Sequence, residues 1–457
     1  MLTGIGFRRN SQHHLTATIL ITVALASTAL GPKAASATNG AQFIGFSAES
    51  TALGGAGLVA VADTSAINMN PAALSLITGS RFDFTPVYLQ PLLHHQDMFG
   101  NDRDGQNDPF VLGNLGFATR PASMPRLTIG AGVFSQGGFG TDQPRLNTAF
   151  GTVDDASSFL RYVKFSVAAS YEVVPDKLSI GIAPYLGYSD VSLRLFPATS
   201  FPAAGFLGLD IRDRCARNGG LGGLGDSCPS DVVFGVKVGA MYKVSKWLTV
   251  GASYTSPVRF NYTGGEATVN LTGLGLGRVN YDARVAGFKW PQQVDVSFAA
   301  RPTEQLLVAL TTSWINWATI NTVRVTASNP SNALAPPEVN YDIPFNWKDQ
   351  VVVAFGLAYT AISDEAIKDR LILRFGYNFS NNQVPDETLS PLAPLIIQHH
   401  LSGGFGLRLT ERWSFDSAVL YALKNTVTYT NPSLPFGSNA TESASGYFVS
   451  NTLSYRF

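Results

Sequence analysis

Few residues of this 457-residue chain could do chemistry, and they are scattered. Lys348 stands in the run Trp347-Lys348-Asp349. Counted from an outward-facing Val351, its side chain points inward, where an ammonium in a partly apolar pocket could pair with a carboxylate. A salt bridge to Asp349 or Asp63 is the plain structural reading of the same lysine. Arg194, late in a strand before a long loop, is a second and weaker candidate cation. Cys215 and Cys228 flank a Gly-rich dozen and predict a disulfide that closes the loop in an oxidising compartment. Two cysteines without a nearby histidine make no metal site. The histidines come as His13-His14, His94-His95 and His399-His400, with no zinc spacing, and read as solvated surface. No Gly-x-Ser-x-Gly elbow and no phosphate loop is present, so no catalytic residue, no enzyme activity and no cofactor is predicted.

What positions these residues begins with export. Residues 1–37 read as a signal peptide. Arg8 and Arg9 precede the apolar run Leu15–Leu30, and Ala35-Ser36-Ala37 is a small-x-small cleavage site. Removing them takes away Arg8, Arg9 and Lys33 and no acid, so the mature net charge is (32−3)−32 = −3. That charge excludes a nucleic-acid partner. Charged residues are 14% of the chain, against about 25% in ordinary soluble domains. No later apolar run is long enough for a membrane helix. An exported chain of this kind is either soluble or a membrane barrel.

From residue 80 onward the pattern alternates with period 2. Leu371, Leu373, Phe375, Tyr377 and Phe379 oppose Arg374, Gly376, Asn378 and Ser380. Apolar faces often end in an aromatic, such as Tyr242, Tyr359 or Trp413, as the girdles of outer-membrane barrels do. Fourteen segments read as strands: near 80–90, 111–120, 125–136, 159–173, 177–195, 231–244, 246–263, 287–301, 304–325, 346–361, 369–380, 396–410, 412–429 and 445–457. Short and long connections alternate between them. The predicted fold is all-β: a fourteen-stranded antiparallel transmembrane β-barrel over 80–457.

Phe43–Leu74 does not fit that pattern. It is rich in Gly and Ala, too broken by Gly45, Gly54, Gly55 and Gly57 for one helix, and too apolar for a solvated linker. Residues 38–79 therefore read as a small hatch packed inside the barrel lumen. Asn70-Pro71-Ala72 fixes a turn where this segment meets the first strand.

Several markers stand in one order along the chain. They are Asn70-Pro71-Ala72, the run Gly251-Ala252-Ser253-Tyr254-Thr255-Ser256-Pro257, Trp290-Pro291, Trp314-Ile315-Asn316-Trp317, Trp347-Lys348-Asp349, and Phe375-Gly376-Tyr377 followed by Val384-Pro385. Together they resemble the outer-membrane long-chain fatty acid and aromatic hydrocarbon transporter family of Gram-negative bacteria. The resemblance covers nearly the whole mature chain. It implies passive transport of hydrophobic small molecules, by capture among the outer loops, a pocket at the hatch, and sideways release through a kink in the third strand. Gly137 and Gly138, after the third strand segment, are placed at that kink by the resemblance alone. Phe43 and Phe46 are expected beside the ligand, and Lys348 at a fatty acid headgroup. Phe201 and Phe206, with Phe196, Leu207 and Leu209, are expected to line the capture groove in the loop 196–230. Relatives often carry an Asp where this chain has Asn378, Asn381 and Asn382, so the polar pocket is expected to differ.

The expected cargo is a long-chain fatty acid, with monoaromatic hydrocarbons or alkanes as the alternative. An outer-membrane lipid hydrolase is the reading from another class, and an open polar porin a third, which a hatch would block. Outer-membrane lipid is an expected partner. A last strand ending at Phe457 resembles the signal read by the barrel assembly machinery.

Overall fold

Alternation of apolar and small polar side chains becomes, in the computed structural model, a wall of antiparallel strands. The structure describes residues 38–211, 229–363 and 369–457. Residues 1–37, read above as a signal peptide, and Cys215 and Cys228, expected to form a disulfide, lie outside the described residues.

The N-terminal segment holds two short strands, β1 (Thr38–Asn39) and β2 (Gln42–Phe43). Two short helices follow, α1 (Ala48–Ala52) and α2 (Ala66–Met69), then a 3-10 turn at Pro71–Leu76. The wall starts with β3 (Ser80–Gln96), β4 (Asp102–Asp104), β5 (Phe110–Thr119), β6 (Leu127–Asn147), β7 (Val153–Val174), β8 (Leu178–Phe201) and β9 (Phe206–Ile211). It continues with β10 (Ser230–Lys243), β11 (Leu248–Thr255), β12 (Val258–Leu271), β13 (Gly277–Trp290), β14 (Gln293–Ala300), β15 (Leu306–Ile315), β16 (Thr322–Ser328) and β17 (Glu338–Pro344). It ends with β18 (Gln350–Ile362), β19 (Leu371–Ser380), β20 (His399–Arg408), β21 (Trp413–Tyr429) and β22 (Ala440–Arg456). The last strand returns to the first strand of the wall: β22 pairs β3 from Thr441↔Gln96 to Arg456↔Arg81, which closes the wall on itself.

The expected division into fourteen strands is corrected: the described residues form 22 strands in one sheet, two of them, β1 and β2, in the enclosed N-terminal segment. Prolines and turns cut segments that looked continuous. Pro257 separates β11 from β12, Pro291 separates β13 from β14, and a 3-10 turn at Trp317–Thr319 separates β15 from β16. Proline has no N–H for the ladder, so the chain changes course there. The pieces after these cuts pair among themselves, β12 with β13, β13 with β16 and β16 with β17. Regions read as loops also carry strands, namely β4, β9 and β17.

Burial alternates as the period demands. On β19, Leu373 and Phe375 are exposed while Arg374 and Gly376 are buried. Exposed apolar side chains such as Val111, Phe117, Phe165, Ile182 and Leu186 cover the outer surface. A soluble protein avoids so wide an apolar surface, and a bilayer requires it. At the end with short turns Trp413, Tyr455 and Phe457 form an aromatic cluster, with ring centres 4.6 and 4.8 Å apart. No described helix is long and apolar enough to cross a membrane.

The N-terminal segment is enclosed by the wall, and polar wall side chains bond its backbone. Ala48 N donates to Thr452 Oγ1 at 2.8 Å, and Ser402 Oγ donates to Ala52 O at 3.0 Å. Asn378 Nδ2 donates to Gly54 O and Ser170 Oγ to Ala72 O, both at 2.9 Å. Glu49 on α1 pairs with Arg374 at 3.1 Å, and Arg374 pairs with Asp416 at 2.8 Å. A helix of five residues cannot hold itself in water, so these contacts are what order α1.

Candidate functional site

Two dents in the wall receive the N-terminal segment. Gly181 and Gly239 are cross-strand partners on β8 and β10. A Cβ on Gly239 would overlap Asn70 Oδ1, and one on Gly181 would overlap the backbone joining Pro71 and Ala72. Asn70 caps the turn, with its Oδ1 accepting from Ala72 N at 3.1 Å and its Nδ2 donating to Ala240 O at 3.3 Å. Gly356 and Gly376, partners on β18 and β19, make the second dent, filled by Leu53 and Gly54. Between them Asp63 is buried and accepts from Ser65 N at 2.8 Å. Burial, and then the Asp83 carboxylate, push its carboxyl up to about 6, with Arg81 pulling the other way.

Phe43 sits where two cavities meet. The inner cavity, about 80 Å³, is bounded by Phe43, Phe46, Met69, Trp290, Lys164 and Asn378. The second, about 70 Å³, is bounded by Phe43, Leu89, Phe110, Leu112, Gly137 and Gly138 and is apolar apart from Arg161 and Thr141. A third and larger cavity of about 330 Å³ lies among the outer strands, against Phe206, Leu193, Tyr262, Phe288, Trp347 and Leu392. It shares Phe139 and Leu160 with the second cavity. The three therefore adjoin in order, Phe43 standing between the first two and Phe139 and Leu160 between the last two.

The second cavity stands at a break in the wall. β5 and β6 pair from Thr119↔Ile129 only as far as Asn114↔Phe134. Beyond that point β5 keeps its bonds to β3 as far as Phe110, and β6 keeps its bonds to β7 as far as Asn147, but the two facing edges part. A bulge between Ser135 and Gly137 turns β6 inward, where Gly137 pairs with Gln42 of β2 and Gly138 N donates to Ala41 O at 2.8 Å. Gly137 and Gly138 have φ of 142° and 145°, and a Cβ on either would overlap a carbonyl oxygen, of Ala41 or of Leu160. Only glycine fits this crossing.

The cation at the inner cavity is not the one expected. Lys348 is exposed and lines none of the three cavities, because residues 345–349 leave the strand before β18 begins and the parity count from Val351 fails there. Asp349 is not its partner. Asp349 accepts from Trp314 Nε1 at 3.1 Å, Asn316 Nδ2 at 2.8 Å and Ala318 N at 3.2 Å. The buried lysine at that cavity is Lys164 of β7, whose Nζ lies 4.2 Å from the centre of the Tyr185 ring. Nearby Lys237 is neutralised by Asp295 at 3.3 Å, and Asp295 also accepts from Ser253 Oγ at 2.7 Å and Gln293 Nε2 at 2.6 Å. Among the described residues no carboxylate pairs with Lys164. Its parity with Tyr162 and Ser166 in the strand near 159–173 was the available signal.

The other predicted residues separate. Phe206 lines the outer cavity and packs on Phe196, with ring centres 5.9 Å apart. Phe201 is exposed and stacks on Phe150 at 5.3 Å. Arg194 is held by Asp155 at 3.3 Å and Asp210 at 3.8 Å and lines none of the three cavities. Two histidines read as surface are buried, His95 and His400. His95 lies between Glu442 at 2.5 Å and Asp97 at 3.1 Å, because its strand continues into a folded outer cap. The tryptophans of three sequence markers meet: Trp317 stands 5.6 Å from Trp290 and 5.2 Å from Trp347.

Comparison with known proteins agrees with this architecture. Residues 28–457 match the family model described as outer membrane protein transport protein (OMPP1/FadL/TodX). Among solved structures, the P. putida toluene transporter TodX aligns with a TM-score of 0.73 and 20% identity, over 91% of this chain and 99% of that one. The Ralstonia pickettii toluene transporter TbuX aligns with a TM-score of 0.68 and 20% identity, over 91% and 99%. A Pseudomonas aeruginosa FadL homologue aligns with a TM-score of 0.66 and 15% identity, over 88% and 96%. No curated protein matches the chain. The family is one of transport proteins, not enzymes, and its β-barrel belongs to the outer membrane. With a match over nearly its whole length, the chain belongs to the OMPP1/FadL/TodX family of outer-membrane transport proteins.

Proposed function

We propose that this protein carries long-chain fatty acids passively across the outer membrane of a Gram-negative bacterium and releases them sideways into the bilayer. The observation that carries the reading is the series of cavities that runs from the outer strands to the break between β5 and β6. A fatty acid crosses water and charged lipid headgroups slowly. Burial of its chain is worth about 0.8 kcal/mol per CH₂, so an apolar path holds it throughout. In this reading the outer cavity captures the cargo, residues 38–79 act as the hatch, and the apolar second cavity leads to the lipid. Lys164 favours a carboxylate cargo, because it is a buried lysine at the inner cavity with no acid bonded to it; the acid that lines the same cavity, Asp295, is bonded to Lys237.

A second reading, uncharged monoaromatic hydrocarbons, is favoured by the second cavity, whose lining is almost wholly apolar. The solved structures of similar fold include toluene transporters. Outer-membrane lipid is the receiving phase, and β22 with the Phe457 that follows it is the segment offered to the barrel assembly machinery.

The test is uptake of labelled oleate and labelled toluene by cells lacking their own transporter, with the wild-type chain inserted at measured levels. Oleate uptake above the empty-vector rate supports the first reading. Toluene uptake alone selects the second. Uptake of neither, with free passage of small sugars, overturns both.

A further inference from the structure

We propose that Asn114 is the positioning residue that couples the hatch to the opening in the wall; the inference rests on the sideways-release reading above. Asn114 is the last residue of β5 to pair with β6. One residue further on, the two strands fork, and Ser135 N–H loses the backbone acceptor that a continuous ladder would supply. Asn114 replaces it: its Oδ1 accepts from Ser135 N at 2.9 Å. Its Nδ2 donates to Phe46 O of the hatch, also at 2.9 Å. The partners fix the amide's orientation, because Ser135 N can only donate and Phe46 O can only accept. A second strut, Ser135 Oγ to Gly113 O at 3.1 Å, crosses the fork beside it.

One planar amide, 6% exposed, thus holds the wall strand with one atom and the hatch with the other. Phe46 lines the inner cavity, and its ring packs edge-on against Phe134, the cross-strand partner of Asn114. A cargo that displaces Phe46 pulls on Nδ2 and turns the amide. The same turn withdraws Oδ1 from Ser135, the residue at which β6 bends inward. Beside the direct bond of Gly138 N to Ala41 O, which ties the hatch to β6 beyond the bulge, this side chain links binding at the hatch to the root of the fork at Ser135, so cargo in the inner cavity loosens the exit.

The experiment compares the full-length wild type with Asn114→Leu, Asn114→Ala and Ser135→Ala, each inserted and purified in detergent. Hydrogen exchange is followed over residues 42–47 and 135–138, with and without oleate. Asn114→Leu keeps the volume of the side chain and removes both bonds. Without ligand it is expected to speed exchange in both segments by about tenfold, which is about 1.4 kcal/mol. Ser135→Ala should speed only 135–138. In the wild type, oleate should speed both segments together; in Asn114→Leu the rise at Ser135 and Gln136 should be lost, while Gly137 and Gly138, joined directly to residues 41–42, still follow 42–47. Maximal uptake by cells should fall with half-saturation and oleate affinity unchanged. Exchange at Ser135 and Gln136 that still follows oleate in Asn114→Leu overturns the coupling. Affinity and uptake that fall by one common factor also overturn it, since they mark simple support of the hatch. The ligand-free comparison needs no transport, so failure of the uptake reading shows in the wild type, and failure of the coupling shows in the variants.

Discussion

Gly181 and Gly239 face each other across β8 and β10, and the space where their side chains would stand is filled by Asn70, Pro71 and Ala72. A wall built with two absent side chains is as much a part of the hatch seat as the hatch itself. Wall and hatch are thus matched by shape at a site more than a hundred residues apart in sequence.

Gly239→Val should unseat the hatch while leaving the barrel inserted. Overpacking of this kind costs about 1–3 kcal/mol where neighbours can move, and backbone and a capping Asn cannot move far. Protease cleavage within residues 38–79 and leakage of small polar solutes should both rise. Gly113→Ala, whose added Cβ meets only a carbonyl at 3.8 Å, is the control and should do neither.

Lys164→Met should cut oleate uptake by about 10- to 100-fold, the loss of a charge-assisted bond worth about 1.5–3 kcal/mol. Toluene uptake should stay within about twofold, since a hydrocarbon has no group for the ammonium to bond. Lys348→Ala should change neither, because Lys348 is exposed and lines none of the three cavities. Competition assays with both cargoes at matched surface levels measure this.

Gly137→Val should reduce uptake of both cargoes alike. At φ of 142° its side chain would collide with Ala41 O, so either β6 straightens against β5 or β2 leaves its place. Binding at the outer cavity, followed with a fluorescent fatty acid, should persist. Full uptake by this variant would remove the fork from the path.

Asp63 makes hatch seating depend on pH. Its carboxyl rises from 3.8 in the unfolded chain to about 6 in the folded one, through burial first and Asp83 second. The folded protein therefore holds that proton more tightly. The stability this contributes is complete below about pH 4 and is lost as pH rises through 6. Asp63→Asn should stabilise the protein at pH 7.5 by up to about 3 kcal/mol, at 1.36 per unit. The difference from wild type should close toward pH 4. Thermal midpoints in detergent across that range check the sign.

The alternation in the sequence revealed an antiparallel wall with an apolar outer face, because the period of a strand is a property of neighbouring residues. The same logic exposed the Phe43–Leu74 stretch, whose composition suits neither strand, helix nor solvent. It failed where register is lost. Lys348 was assigned a face by counting through residues 345–349, and the chain leaves the ladder there. The strand count failed at Pro257 and Pro291 for the same reason, since a missing N–H ends a ladder without ending the alternation.

Local order and side-chain chemistry were thus written along the chain: export, a barrel, a segment that needs enclosure, and glycines at 137 and 138. Which groups meet inside was decided only by closure of the sheet. Lys164 is one inward side chain among many until β10 and β14 bring Lys237 and Asp295 together beside it, which neutralises one lysine and leaves the other free of an acid. Asn114 is an ordinary strand residue until β6 turns away and Phe46 arrives beneath it. Such meetings depend on pairing between residues far apart in sequence, and the energy that selects them comes from the whole lumen being filled at once.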